Sequence, residues 1–242
     1  MHRYRNGSTL KEELARAMKR LESTGVVYPE GYCEAILEKY TPERVPYPYI
    51  VLHVGDPRIV RHFYYPEAMK QTGRLLDYGC GTGDAVRQLL RAGYPREKVT
   101  GFDVDGKSID LGMDLYADRN ESADLFRVSP TFPFEPGSFD IIYSGSVFHV
   151  IDDESEFREY LQNAFDGLRA GGTFFGSTLG LRDSASARPA EGPPRLMKRH
   201  ELIDSMTEIG FSELTVREGD RSRMHGAAPG FCIFEFLAKK NG

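Results

Sequence analysis

The chain has 242 residues, enough for one sizeable α/β domain with additional elements or for two small ones. A formal net charge of −5 argues against a nucleic-acid-binding surface as its main feature, and no apolar run approaches the roughly 20 residues needed to cross a bilayer. The basic start Met1-His2-Arg3-Tyr4-Arg5 has no apolar stretch behind it and is not a signal peptide, and the widely spaced Cys33, Cys80 and Cys232 fit reduced thiols of a cytoplasmic protein.

Residues 1–8 carry no helix or strand signal. Thr9-x-x-Glu12 predicts a capping box, and Leu10, Leu14, Ala17, Met18 and Leu21 follow helical spacing up to a stop at Gly25. A second helix is predicted near Glu30 to Tyr40, ended by Thr41-Pro42. The aromatic stretch Val45 to Leu52 is broken by proline and reads as irregular. Asp56-Pro57 predicts another helix start, and Pro66 a short helix before Gly73. Residues 1–72 thus read as a helical extension, and 73–242 as the principal domain.

From Arg74 the pattern alternates between strand and helix. Leu75 and Leu76 end a buried strand; Gly79, Gly81 and Gly83 follow, then Ala85 to Leu90 at helical spacing. Strand, glycine turn and helix form the first unit of a doubly wound sheet, where ligands lie against the carboxyl ends of the strands. Further strands are predicted at Val99–Val104, Asp124–Val128, Ser138–Ser144 and Thr173–Thr178, with helices ending near Tyr116 and spanning about Asp153 to Leu168. Gly171-Gly172 reads as a turn, and 180–197 as a long loop. Leu202, Ile203, Met206 and Ile209 predict a helix closed by Gly210; Phe211 to Arg217 and Phe231 to Leu237 alternate as strands.

The glycine spacing discriminates between ligands. A dinucleotide fingerprint needs Gly-x-Gly-x-x-Gly, but position 84 is Asp and the third glycine falls one residue early; no Lys follows, which excludes a P-loop. Asp77 and Asp84 bracket the turn with negative charge, which suits a cationic ligand. Asp103 closes the second strand about twenty residues on, where an acid accepts hydrogen bonds from ribose hydroxyls. Val104 then follows where it can pack on a base. No metal-ligand spacing is present.

The run Asp77-Tyr78-Gly79-Cys80-Gly81-Thr82-Gly83 resembles the first motif, Asp/Glu-x-Gly-x-Gly-x-Gly, of the class I S-adenosylmethionine-dependent methyltransferases, and the resemblance extends from about Leu75 to Leu237. It implies a mostly parallel seven-stranded sheet with one antiparallel strand. It implies S-adenosylmethionine as cofactor and S-adenosylhomocysteine as product, held by Asp77, Gly79, Cys80, Gly81, Gly83, Asp103 and Val104. The family usually carries an Asp near the adenine amino group before strand four; Ser129 stands at that place here, so its hydroxyl or backbone takes over the contact. By resemblance Ser144 lies near the methionine part of the cofactor. His149, past the fourth strand, is the candidate catalytic base, and packing is its alternative role.

The reaction expected is transfer of a methyl group to an oxygen or nitrogen of a small molecule, where alignment supplies much of the catalysis. A tRNA or protein methyltransferase and a catalytically silent cofactor-binding protein are the alternatives. Candidate pocket aromatics are Tyr47, Tyr49, Phe63, Tyr64 and Tyr65. Arg217, Arg221, Arg223 and His225 are candidates to hold a substrate carboxylate, and Arg182, Arg188 and Arg195 mark the 180–197 loop as a candidate lid.

Overall fold

The computed structural model describes residues 8–45, 48–185, 193–219 and 230–242. Helix α1 (Leu10–Ser23) begins with the predicted capping box: the Thr9 hydroxyl accepts from the Glu12 N–H at 3.3 Å, and the Glu12 carboxylate accepts from the Thr9 N–H at 2.6 Å. Helix α2 (Tyr32–Lys39) follows, then 3₁₀ turns at Pro48–His53 and Arg58–Arg61 and the short α3 (Tyr65–Ala68). From Pro48 on, the stretch expected to be irregular therefore winds as 3₁₀, and Asp56-Pro57 starts one tight turn rather than an α-helix. Leu14, Ala17 and Leu21 of α1 are buried against Ile50, Val51 and Val54, burial worth about 1.5–3 kcal/mol for each large side chain.

The principal domain alternates β1 (Leu75–Tyr78), α4 (Asp84–Arg91), β2 (Val99–Asp103), α5 (Gly106–Tyr116), the single turn α6 (Arg119–Ser122), β3 (Phe126–Val128), β4 (Phe139–Gly145), α7 (Glu154–Gly167), β5 (Leu168–Leu181), α8 (Arg199–Ile209), β6 (Phe211–Glu218) and β7 (Phe231–Lys240). The strands form one seven-stranded sheet in the order β3-β2-β1-β4-β5-β7-β6. All neighbours are parallel except β7, which runs antiparallel between β5 and β6. The sheet is covered on both faces, which is why β1 is buried throughout. Leu75, Ile141 and Phe175 face one core with Val86 and Leu89 of α4. Leu76, Ile142 and Phe174 face the other with Phe157, Leu161 and Ala164 of α7.

Two strands differ from expectation. Asp124 and Leu125 wind as 3₁₀, leaving a three-residue β3. Strand β5 is far longer than predicted because Gly171-Gly172 makes a bulge inside it, where the register against β4 shifts, instead of a turn before it. It carries the chain straight through to Leu181, two residues into the segment read as a loop.

The N-terminal extension docks on α5. Its cluster includes Leu111, Leu115 and Tyr116, and the Asp114 carboxylate accepts from the Tyr40 hydroxyl at 2.6 Å and pairs with Lys39. From there the chain crosses the carboxyl edge of the sheet as a strap fastened at three points. The Gly55 N–H donates to Asp84 at 2.6 Å, Arg58 donates to the Ser146 hydroxyl, and His62 Nε2 reaches the carbonyls of Gly176 and Phe236 at 3.0 and 3.1 Å. His62 Nδ1 accepts from the Tyr64 N–H at 3.0 Å, so the proton sits on Nε2. Burial pushes its pKa down to about 4, and this neutral imidazole pins the strap across β5 and β7.

Candidate active site

Order reverses between β1 and β4, the switch point where an open α/β sheet leaves a crevice. The glycine turn lies there. Gly79, Gly81 and Gly83 all have positive φ, at 74°, 54° and 74°. The N–H groups of Gly79 and Cys80 both donate to the Phe102 carbonyl, at 2.8 and 3.0 Å, which ties the turn to the end of β2. A Cβ on Gly79 would stand 2.4 Å from Val147, and one on Gly83 would stand 2.5 Å from the Phe126 ring. At Gly81 it would meet no atom within 4 Å. Gly79 and Gly83 are thus demanded by the protein's own packing, and Gly81 borders the open space where a ligand can come close.

Two carboxylates face that space. Asp103 accepts from the Gly81 N–H at 2.8 Å and from the Asp105 N–H at 2.9 Å. Burial raises its pKa against those two donors. Asp105 caps α5 through the Lys107 N–H, so capping is not the task of Asp103. Asp77 is 2% exposed, and no described residue donates a hydrogen bond to it. Burial, with the charges of Asp103 and Asp84, pushes its pKa well above the usual carboxylate range. A buried carboxylate without a donor is costly, and a cationic ligand removes that cost. Val104 and Val128, the latter opposite Asp103 in the β2–β3 ladder, are 63% and 54% exposed and form an apolar edge beside it. Ser129 follows, half-buried, its hydroxyl accepting from the Thr131 N–H at 3.3 Å.

Past β4, Ser146 has φ 67°, a left-handed conformation that costs a non-glycine residue about 1–2 kcal/mol. Its N–H donates to the Ser177 carbonyl at 2.7 Å. Arg58 Nη2 donates to His53 Nε2 at 2.7 Å, and the other arm of its fork holds Ser146. His149 Nδ1 accepts from the Leu179 N–H at 3.4 Å and lies 3.4 Å from the Thr178 hydroxyl. An amide only donates, so Nε2 carries the proton. Burial, helped by the positive charge of Arg58, pushes the His149 pKa down to about 4. The geometry therefore presents a neutral imidazole that donates from Nε2, a poorer fit to the base expected from sequence.

Other expectations need correction. Asp84 does not face the ligand space with a loose negative charge: its carboxylate accepts from Gly55, from the Tyr116 hydroxyl at 2.7 Å and from Thr82. Ser144 is 1% exposed and bonds the Tyr160 hydroxyl at 2.9 Å, which in turn donates to the Tyr78 carbonyl; its side chain thus lies on the face opposite Asp77. The Cys80 side chain packs into the core beneath the turn, leaving only its backbone at the site. Arg182 bonds Glu218 at 2.9 Å, while Arg195 holds Glu154 at 2.7 Å and the Ile151 carbonyl at 3.1 Å, so both are structural. Arg217 lies over the Phe63 ring at 4.2 Å. Tyr47, Arg188, Arg221, Arg223 and His225 lie outside the described residues. Arg58 and its place beside Ser146 had no sequence signal, because 88 positions separate the two residues.

This sheet order, with a glycine turn after β1 and an acid closing β2, defines the class I methyltransferase fold. The family described as "Methyltransferase domain" matches residues 75–172. A curated relative, methyltransferase adrK of Penicillium rubens, is 28% identical over 170 residues, covering 58% of this chain and 61% of its own length. O-methyltransferase phiE of a fungal species is 33% identical over 102 residues, covering 38% and 34% respectively. The structure of geranyl diphosphate C-methyltransferase from Streptomyces coelicolor A3(2), in complex with Mg2+, geranyl diphosphate and S-adenosyl-L-homocysteine, superposes with a TM-score of 0.60 at 15% identity over 96% of this chain and 98% of its own. The chain has the class I methyltransferase fold, and its residues 75–172 match the methyltransferase domain family. It spans about three fifths of the length of the adrK relative.

Proposed function

We propose that the protein transfers a methyl group from S-adenosylmethionine to an oxygen or nitrogen of a small-molecule acceptor. The observation that carries the reading is Asp77, a buried carboxylate with no donor among the described residues, opposite a glycine turn whose middle residue is open to a ligand. The residues fit a cationic nucleoside. Asp103 would accept from the ribose hydroxyls while bracing Gly81. Val104 and Val128 would sandwich the adenine at its apolar edge, with Ser129 at its rim, and Asp77 would take the ammonium. Ser144 serves here as a support for Tyr78 and Tyr160. The cofactor supplies a methyl carbon on a positive sulfur that leaves as a neutral thioether. An O-methyltransferase among the relatives supports oxygen as the acceptor atom.

Residues 1–72 would cap the acceptor side of 73–242, a reading supported by the strap from Gly55 to His62 across the carboxyl edge. His149 would orient the acceptor by donating from Nε2 rather than remove its proton. Replacing His149 by Ala is then expected to lower turnover of an identified acceptor roughly tenfold, the worth of one good hydrogen bond, and to leave S-adenosylhomocysteine affinity within about twofold. A group titrating near 4 stays neutral from pH 6 to 8, so the wild-type rate should carry no step from His149 in that range. A step near 6.5 that disappears in His149→Ala would restore the base. Three free cysteines are consistent with a cytoplasmic setting, and no described helix is long and apolar enough to cross a membrane.

Thermal unfolding with S-adenosylhomocysteine and, separately, with NAD tests the reading. A ligand at a hundred times its dissociation constant stabilises by about 2.7 kcal/mol, a shift of several degrees for a chain of this size. A shift with S-adenosylhomocysteine alone is expected. A shift with NAD alone, or with neither, would overturn the cofactor.

A further inference from the structure

Ser146 bends the chain out of β4 in a left-handed conformation. Two contacts hold it there: its N–H donates to the Ser177 carbonyl at 2.7 Å, and its hydroxyl accepts from Arg58. The 3₁₀ turn that follows, Phe148–Val150, carries His149. Val147, at its start, rests on the glycine turn, since a Cβ on Gly79 would stand 2.4 Å from it. Phe148 is sunk in the core and stacks on Phe236 with ring centres 5.0 Å apart.

Two arginines clamp this turn from opposite ends. At the far end Arg195 donates from its backbone to the His149 carbonyl at 3.3 Å, and from its side chain to the carbonyls of Ile151 and Asp152, each at 3.1 Å. At the near end Arg58 reaches Ser146 with one arm and His53 Nε2 with the other, the latter at 2.7 Å. A planar fork held on both arms has little freedom left. The strap that carries it is fixed as well. Upstream, Gly55 is tied to Asp84, and Arg20 donates to the carbonyls of Val54 and Val51 at 2.8 and 3.0 Å. Downstream, His62 is bonded into the sheet.

The imidazole of His149 has weaker support than the turn beneath it. Its Nδ1 accepts from the Leu179 N–H at 3.4 Å, the long end of the hydrogen-bond range, so a small shift of the turn breaks that bond. A serine in the left-handed region relaxes when its tether is removed, and here that relaxation redirects the turn.

We infer that Arg58 is a positioning residue for the acceptor side: by tethering Ser146 it sets the direction of the turn, and with it the nitrogen that His149 offers to the acceptor. In this role Arg58 needs to touch neither cofactor nor acceptor. The N-terminal extension then completes the acceptor side from 88 positions ahead of the residue it holds, as well as covering it. This rests on the reading of His149 as the group that orients the acceptor.

Nitrogen NMR of the ligand-free full chain, carrying isotope-labelled histidines, tests it, with the His149 signal assigned by its loss in His149→Ala. The wild type should show a neutral imidazole at neutral pH with the proton on Nε2. Arg58→Gln should lower the ratio of Nε2–H to Nδ1–H forms by about threefold or more, the scale of one hydrogen bond. Arg58→Lys, a point charge without the fork, should restore only part of it. Ser146→Ala leaves Arg58 in place and should lower the ratio as much. The double variant should fall no further, because both changes remove one tether. Affinity of Arg58→Gln for S-adenosylhomocysteine, read by calorimetry, should stay within about twofold of the wild type. An unchanged ratio in Arg58→Gln or in Ser146→Ala overturns the role, and Ser146→Ala decides alone if Arg58→Gln does not fold. Losses that add in the double variant overturn it too, as does a full ratio in Arg58→Lys. A wild type that does not bind S-adenosylhomocysteine overturns the cofactor reading and leaves the His149 signal where it is. Turnover in His149→Ala tests the acceptor reading separately.

Discussion

Asp77→Asn is expected to make the ligand-free protein more stable at neutral pH and at the same time to weaken its binding of S-adenosylhomocysteine. Burial raises the pKa of Asp77 in the fold, so the native state binds a proton that the unfolded chain releases at about 3.8. Below that value both states are protonated and the group is neutral in its effect. As pH rises above it the unfolded state gains the ionised form first, and stability falls until the folded pKa is passed. An amide cannot ionise, so it removes this loss, on the order of 1–3 kcal/mol for a buried polar group without a donor. The gain should vanish near pH 4 and grow as the pH rises above it. Urea unfolding of both proteins across that range measures it. The same substitution removes the negative partner of the ligand's ammonium and should cost roughly tenfold to a hundredfold in affinity. A variant that is no more stable at pH 7, or that binds S-adenosylhomocysteine as tightly as the wild type, would falsify the role of Asp77.

Asp103→Ala has the second large effect. Its carboxylate holds the Gly81 N–H at 2.8 Å, and in the proposed complex it also accepts from the ribose hydroxyls. Removing it takes away charge-assisted bonds worth about 1.5–3 kcal/mol each and loosens the one glycine open to the ligand. Calorimetry should show S-adenosylhomocysteine weakened by well over tenfold, with Asp103→Asn between the two because an amide oxygen still accepts. Because Asp105 caps α5 by itself, the helix should survive either substitution, and circular dichroism provides the check. Unchanged affinity in Asp103→Ala would take the residue out of the site.

The two carboxylates divide the work along the pocket. In the proposed complex Asp103 would hold the nucleoside end, beside Val104 and Val128, and Asp77 the methionyl end, next to Tyr143. In that reading the acceptor would approach from the side of Ser146 and His149. Asp84 joins the halves without contacting either ligand. It fastens the start of α4, directly behind the glycine turn, to Gly55 of the strap and to Tyr116 of α5. A ligand that orders the turn therefore acts on a helix to which the cap is tied.

Local chemistry was readable from the sequence wherever neighbours in the chain decide the structure. A short apolar run marked β1, alternation marked the last two strands, Thr9 and Glu12 marked the start of α1, and three glycines followed by an acid twenty or so residues on marked the nucleoside crevice. The length of β5 was not readable, because a glycine pair that usually turns a chain is absorbed as a bulge once β4 and β7 flank it on both sides. Side-chain partners were the other gap. Asp84 reads as a ligand-facing charge until Gly55 and Tyr116 come to it from far along the chain, and Ser144 reads as a cofactor contact until strand alternation turns it to Tyr160. The sequence by itself determined the strand–turn–helix unit, its acids and the class of ligand they suit. Only the tertiary structure decided which carboxylate is left without a donor, which nitrogen of His149 carries the proton, and that Arg58 comes to Ser146 at the end of β4, because those depend on contacts between residues tens of positions apart.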